Sequence, residues 1–171
     1  MRHGLPLLIA FAAALAIGCS PQPPWSPSRV VPDSLPATPL ITLEGTRTDL
    51  STFIHGRTAV IDFWATWCDT CVGEIDALKR LDTQARARPD ALIVGVAVGE
   101  SPETVAAFVR ERGVGFAQLI DEDFRLADAL GERSVPVTLV VDRTGRVVHR
   151  GRALDAATLA AFRTALGGPG P

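Results

Sequence analysis

The 171-residue chain is short of cysteine, histidine and methionine, and each shortage excludes something. Three cysteines are too few for a small domain stapled by disulfides, and a chain of this length buries a sizeable core without them. The histidines are His3, His55 and His149, none paired at ligand spacing, and no second Cys-x-x-Cys accompanies Cys68 and Cys71. Half of a zinc site is all that remains, so no metal is expected. The sole methionine is Met1, which leaves a copper chaperone without its supplementary ligands. Charge of one sign is also missing: the net charge is −2, with no run of like charges, so there is no electrostatic footprint for nucleic acid. Long hydrophobic runs are limited to residues 5–17, and those 13 residues fall short of the roughly 20 that span a bilayer. No internal repeat occurs at any period.

What is present begins with an address. Met1, Arg2 and His3 form a positive start, residues 5–17 an apolar stretch, and Gly18 a small residue ahead of Cys19, the pattern of a secretory signal over residues 1–18. Leu15-Ala16-Ile17-Gly18-Cys19 resembles the lipobox of bacterial lipoprotein signals, with Ala16 where leucine is usual. That resemblance implies cleavage before Cys19, lipidation of Cys19, and a membrane anchor on the extracytoplasmic side. An uncleaved anchor and an ordinary cleaved signal are the alternatives. Ser20 leaves the choice of membrane open. Pro21, Pro23, Pro24, Pro27, Pro32, Pro36 and Pro39 make residues 19–39 a semi-rigid tether, because each ring fixes φ and withholds a donor.

A domain at residues 40–168 follows. Residues 40–43 read as a strand, Glu44, Gly45 and Thr46 as a turn, and residues 48–53 as the returning strand of an N-terminal β-hairpin. Residues 59–64 are an apolar run interrupted by one acid, Asp62, and predict a central strand. Val72, Ile75, Leu78 and Leu81 recur at helical spacing just beyond Cys68. Residues 91–98 predict a strand, and Ser101-Pro102-Glu103 an N-cap, N1 proline and acidic first turn of a helix to about Arg112. A strand at 116–120, a short helix at 123–130, a hairpin joining 137–141 to 147–150, and a helix at 155–166 complete the chain. The pattern is α/β, a mixed central sheet flanked by helices on both faces.

Cys68-Asp69-Thr70-Cys71 lies where a buried strand meets a helix N-terminus, a place whose free N–H groups and dipole favour an anion. A thiolate is such an anion, and a two-residue gap brings both sulfurs within disulfide reach. Cys68 is then the exposed nucleophile and Cys71 the resolving thiol within the helix. Haem attachment is excluded, since Val72 stands where a histidine is required. A zinc half-site and two inert cysteines at a chance spacing are the remaining readings.

The stretch from Val60 to Cys71, with its Phe63-Trp64-Ala65-Thr66-Trp67-Cys68-x-x-Cys71-x-x-Glu74 form, resembles the exported, membrane-tethered TlpA/ResA/DsbE-type thiol–disulfide oxidoreductases. The resemblance runs from about Leu40 to Leu166 and implies a thioredoxin-like fold. It also implies that Ser134-Val135-Pro136-Val137-Thr138 is the cis-proline loop facing the dithiol, with Trp67, Val135 and Pro136 meeting the substrate. Asp62 matches the family's buried aspartate and Glu74 its active-site glutamate. Either acid, with its pKa raised by burial, can take the proton of Cys71. A structural acid at Asp62 and a dipole-stabilising one at Glu74 are the plain alternatives. Asp69-Thr70 replaces a proline-containing pair, Asp76 a kinking proline, and Val137 the glutamate typical of the cytochrome-c-maturation branch. These departures bear on redox potential, tuned here by Asp69 and Thr70, and on apocytochrome c as client.

The resemblance implies a reductase of client-protein disulfides whose only redox group is the Cys68–Cys71 pair, re-reduced by a membrane thiol-electron carrier of the DsbD/CcdA kind. A disulfide oxidase or isomerase is the alternative within the same chemistry, and a non-catalytic metallochaperone the alternative from another class. A thiol peroxidase lacks its Thr-x-x-Cys arrangement around Cys68.

Overall fold

Every residue from Thr58 to Trp64 is buried in the computed structural model, which describes residues 34–168. A strand covered on both faces belongs mid-sheet, and this one, β3, lies between β4 and β6. The elements in order are β1 (Pro39–Thr42), β2 (Arg47–Asp49), α1 (Leu50–Ile54), β3 (Thr58–Trp64), α2 (Asp69–Ala85) and β4 (Ala91–Val98). They continue with α3 (Pro102–Arg112), β5 (Ala117–Asp121), α4 (Arg125–Ala129), β6 (Val137–Val141), β7 (Val147–Gly151) and α5 (Ala156–Ala165). The signal, Cys19 and the proline-rich stretch up to residue 33 lie outside the described residues.

The strands form one mixed sheet in the order β2-β1-β5-β4-β3-β6-β7. β3, β4 and β5 run parallel, whereas β6 is antiparallel to β3 with Phe63 opposite Val137 and Asp62 opposite Thr138. Alternate residues of β3 supply two cores. Ile61 and Phe63 pack with Leu50, Ile54, Val105 and Leu126 from α1, α3 and α4. Val60 joins Leu78 and Leu81 of α2 and Phe162 of α5. Among the described residues no helix is long and apolar enough to cross a membrane.

Three expectations are corrected. The returning strand predicted at residues 48–53 stops at Asp49, and residues 50–54 turn into α1. Asp49 forces this: its carboxylate accepts the Thr52 N–H at 2.9 Å together with the Ser51 and Thr52 hydroxyls, an N-cap that begins a helix. Leu50 and Ile54, four apart, are then buried on one face. In α2 the buried stripe is Cys71, Ile75, Leu78, Leu81 and Ala85, so Cys71 replaces Val72 at its head. The packed body also starts before residue 40, since Leu35 belongs to the core and Ser34 bridges to Arg146. The hairpin of β1 and β2 is part of the main sheet, because β1 pairs with β5.

Candidate active site

β3 carries the chain, fully buried, to one end of the sheet, where Ala65, Thr66 and Trp67 lead into α2. Cys68 is the N-cap of α2, and its Sγ accepts the Cys71 N–H at 3.2 Å. Sulfur thus occupies the position in which an oxygen normally satisfies the first free donors of a helix, and a thiolate there gains from both the N–H and the dipole. Cys68 and Cys71 form a disulfide across this first turn, with Cα atoms 5.3 Å apart. Cys71 is fully buried and Cys68 is 9% exposed. The order of access is the expected one, but Cys68 is far more covered than the sequence reading has it. The cause is the cap itself, which turns the side chain back over the helix start. Asp69 and Thr70, by contrast, face solvent.

Two acids stand close enough to interact, Asp62 on β3 and Glu74 one turn beyond Cys71 on α2. Asp62 has no exposed surface, and its Oδ1 accepts the Thr138 hydroxyl at 3.1 Å while Oδ2 has no partner. Burial pushes its carboxyl up to about 7, against the Thr138 hydrogen bond and with a further push from the Glu74 charge. Glu74 is held above the usual carboxylate range, first by burial, with the Leu154 N–H opposing and Asp155 adding repulsion. Its Oε1 accepts that N–H at 3.3 Å, and its buried Oε2 has no partner.

The Val135–Pro136 peptide is cis. β6 starts directly after it, and the pairing of Val137 with Phe63 brings the loop to the end of the sheet from which β3 leads to Cys68. A cleft of about 360 Å³ opens beside it, lined among others by Phe63, Trp67, Phe124, Ser134 and Val135. Trp67 is 61% exposed and Phe124 43%, so two large apolar faces stand open on that cleft. The arrangement supplies a nucleophile at a helix start, a covered second thiol, two protonatable acids, and a partly apolar trough beside the cis-proline loop. Among the described residues no cluster of His, Cys, Asp and Glu is placed to hold a metal ion.

Other participants escape sequence reading. Phe124 lies in the left-handed region at φ +58°, and its ring sits against Gly99, where even a Cβ would meet it at 2.1 Å. Glu100, buried at 9% exposure, accepts the Thr66 N–H at 2.8 Å and the Thr66 hydroxyl. Trp64 donates from its indole to Gln118 at 3.0 Å. The one local signal was Gly99-Glu100 ahead of the Ser101 cap, which reads only as a helix start.

A family model described as Redoxin matches residues 30–166. The chain belongs to the Redoxin family. The thiol-disulfide oxidoreductase ResA of Bacillus subtilis is 32% identical over 104 residues, 61% of this chain and 57% of that protein. The thiol:disulfide interchange protein DsbE of Pseudomonas fluorescens is 28% identical over 142 residues, 82% of this chain and 77% of that protein. The chain thus spans under two thirds of the ResA relatives, 57% to 61% of their length. The structure of dsbF from MTB, in mixed oxidized and reduced forms, superposes with a TM-score of 0.64 at 31% identity, covering 80% of this chain and 98% of that one. This Redoxin chain has a thioredoxin-like fold, as the sequence resemblance implies.

Proposed function

We propose that this protein is an extracytoplasmic thiol–disulfide oxidoreductase that reduces disulfides in client proteins. The observation that carries the reading is Cys68 capping α2 with its sulfur, directly ahead of the buried Cys71. In the reduced protein the Cys68 thiolate attacks one sulfur of a client disulfide, forming a mixed disulfide and releasing the other client sulfur as a thiolate that takes up a proton. Asp62 or Glu74 accepts the Cys71 proton, and Cys71 attacks the Cys68 sulfur. The second client sulfur leaves and is protonated; two electrons have passed to the client and the Cys68–Cys71 disulfide is restored. The two cysteines are the only redox group this needs. Trp67 and Val135 border the trough in which the client segment lies, and Pro136 follows Val135 in the loop with which its backbone pairs as a short strand.

The names of the ResA and DsbE relatives support thiol–disulfide chemistry. The signal at residues 1–18 and the lipobox-like ending at Cys19 support a lipid anchor in a bacterial cell envelope. A membrane carrier of the DsbD/CcdA kind is the proposed electron donor, and nucleic acid has no part. Equilibration of the dithiol with glutathione buffers, paired with a protein-disulfide reduction assay, tests the activity. A reductase potential below about −180 mV with turnover is expected, and a potential near that of strong oxidants, or no exchange, overturns the reading. Intact-mass analysis of the mature protein tests the anchor: an unacylated chain starting elsewhere than Cys19 overturns it.

A further inference from the structure

Thr66 sits between the end of β3 and the Cys68 cap, and both of its donors go to a single side chain. Its N–H reaches Glu100 Oε2 at 2.8 Å, and its hydroxyl donates to Oε1. Glu100 lies between β4 and α3, only 9% exposed, and no cation among the described residues forms an ion pair with it. A neutral glutamine could accept the same N–H and donate to the same hydroxyl, so hydrogen bonding alone does not call for a charge there. Burying a carboxylate held only by neutral donors is costly, and such groups require an explanation. The Cys68 N–H to Ala65 carbonyl bond at 3.2 Å closes the turn on Cys68, whose other ties, the Val72 N–H, the Cys71 N–H and the disulfide, all run to α2.

We propose that Glu100 is a positioning residue that acts through Thr66: it fixes the Thr66-Trp67-Cys68 loop and places a negative charge at Thr66, two residues before the reactive cysteine. This rests on the dithiol reading above and deepens it, naming a group that sets the balance between thiol and thiolate. A like charge disfavours the thiolate, and an environment that disfavours the thiolate weakens the reduced form less when the thiol is protonated. The charge therefore keeps the Cys68 proton on, and makes the pair more reducing only at pH values where the thiolate is populated. The other titratable groups around the dithiol are Asp62 on β3 and Asp69 and Glu74 on α2, with Asp123, Asp128, Glu132 and Arg133 along the cleft. All of them stay in place when Glu100 alone is changed. Glu100 differs from Asp69 in being buried, so solvent screens it less.

The experiment compares full-length wild type, Glu100→Gln and Glu103→Gln, the last an exposed acid in the first turn of α3. Reduced protein is alkylated with iodoacetamide at pH 7, and the potential is measured against glutathione. Losing one pKa unit raises the thiolate fraction about tenfold, while the lower basicity slows each thiolate about threefold, leaving Glu100→Gln roughly threefold faster. Its potential at pH 7 stays near wild type, because the thiol is protonated in both proteins, and rises only where the pH exceeds the Cys68 pKa; Glu103→Gln matches wild type throughout. A wild-type alkylation rate in folded Glu100→Gln overturns the proposal. Thr66→Val supplies a second arm: it keeps the charge but drops the hydroxyl bond, and a fall of severalfold in client reduction is expected; unchanged client reduction overturns the loop-holding role. A wild-type protein without redox exchange overturns the proposed function instead, so the two failures are distinguishable.

Discussion

Asp62 and Thr138 face each other across β3 and β6, and the threonine hydroxyl donates to one carboxylate oxygen at 3.1 Å while the other oxygen has no partner. The half-satisfied acid titrates at about 7, above its ordinary 3.8. A group whose pKa is raised on folding stabilises the fold below the unfolded value and loses that stabilisation as pH climbs through the folded value. Stability should therefore decline between about pH 4 and pH 7 in wild type. Asp62→Asn should flatten that decline in urea melts at several pH values, and should also slow resolution of the mixed disulfide. An equal slope in both proteins would show that Asp62 does not carry the proton.

The two cysteines should separate cleanly. Cys68→Ser is expected to abolish disulfide reduction, whereas Cys71→Ser should accumulate mixed disulfides through Cys68. Mass mapping of the trapped adducts checks this and identifies the client. Since Cys71 has no exposed surface, it should alkylate far more slowly than Cys68 in the folded reduced protein, and equal rates would reverse the assignment.

Asp69 lies in the first turn of α2, exposed, one residue after the cap. It opposes a thiolate at Cys68, while the helix N-terminus favours one by roughly 0.3–1 kcal/mol, less than one pKa unit. Asp69→Asn should lower the Cys68 pKa by under one unit and make the disulfide slightly more oxidising. Thiolate absorbance titrations of both proteins measure it, and an unchanged or higher value in the variant would mean that Asp69 does not tune the nucleophile.

Gly99 has φ +68°, and a Cβ there would lie 2.1 Å from the Phe124 ring. Gly99→Ala should cost about 1–2 kcal/mol for the left-handed backbone and push the half-exposed ring out of the cleft wall. Thermal melts check the first effect. The second should appear as a raised KM for protein disulfides with little change toward a small aromatic disulfide.

Runs and caps made much of this molecule legible in advance. The apolar run of β3, the Ser101-Pro102 start of α3 and the dithiol at the head of α2 all announce themselves through local chemistry. α1 did not, because five residues are too few to display a period and Asp49 reads equally well as part of a turn. Glu100 and Phe124 were invisible for another reason. Thr66 and Glu100 are 34 residues apart, and the left-handed Phe124 has no sequence signature, so only the pairing of β3, β4 and β5 brings these groups around the site.

Ser34 bridges Arg146, at the turn where β6 has run its length away from Pro136. The five residues of β6 cover about 17 Å, so the upstream chain joins the domain at the pole opposite the disulfide. Leu35, packed into the core directly afterwards, makes that junction a fixed hinge point. The described chain therefore enters at the base of the domain, with the dithiol at the far end of the sheet.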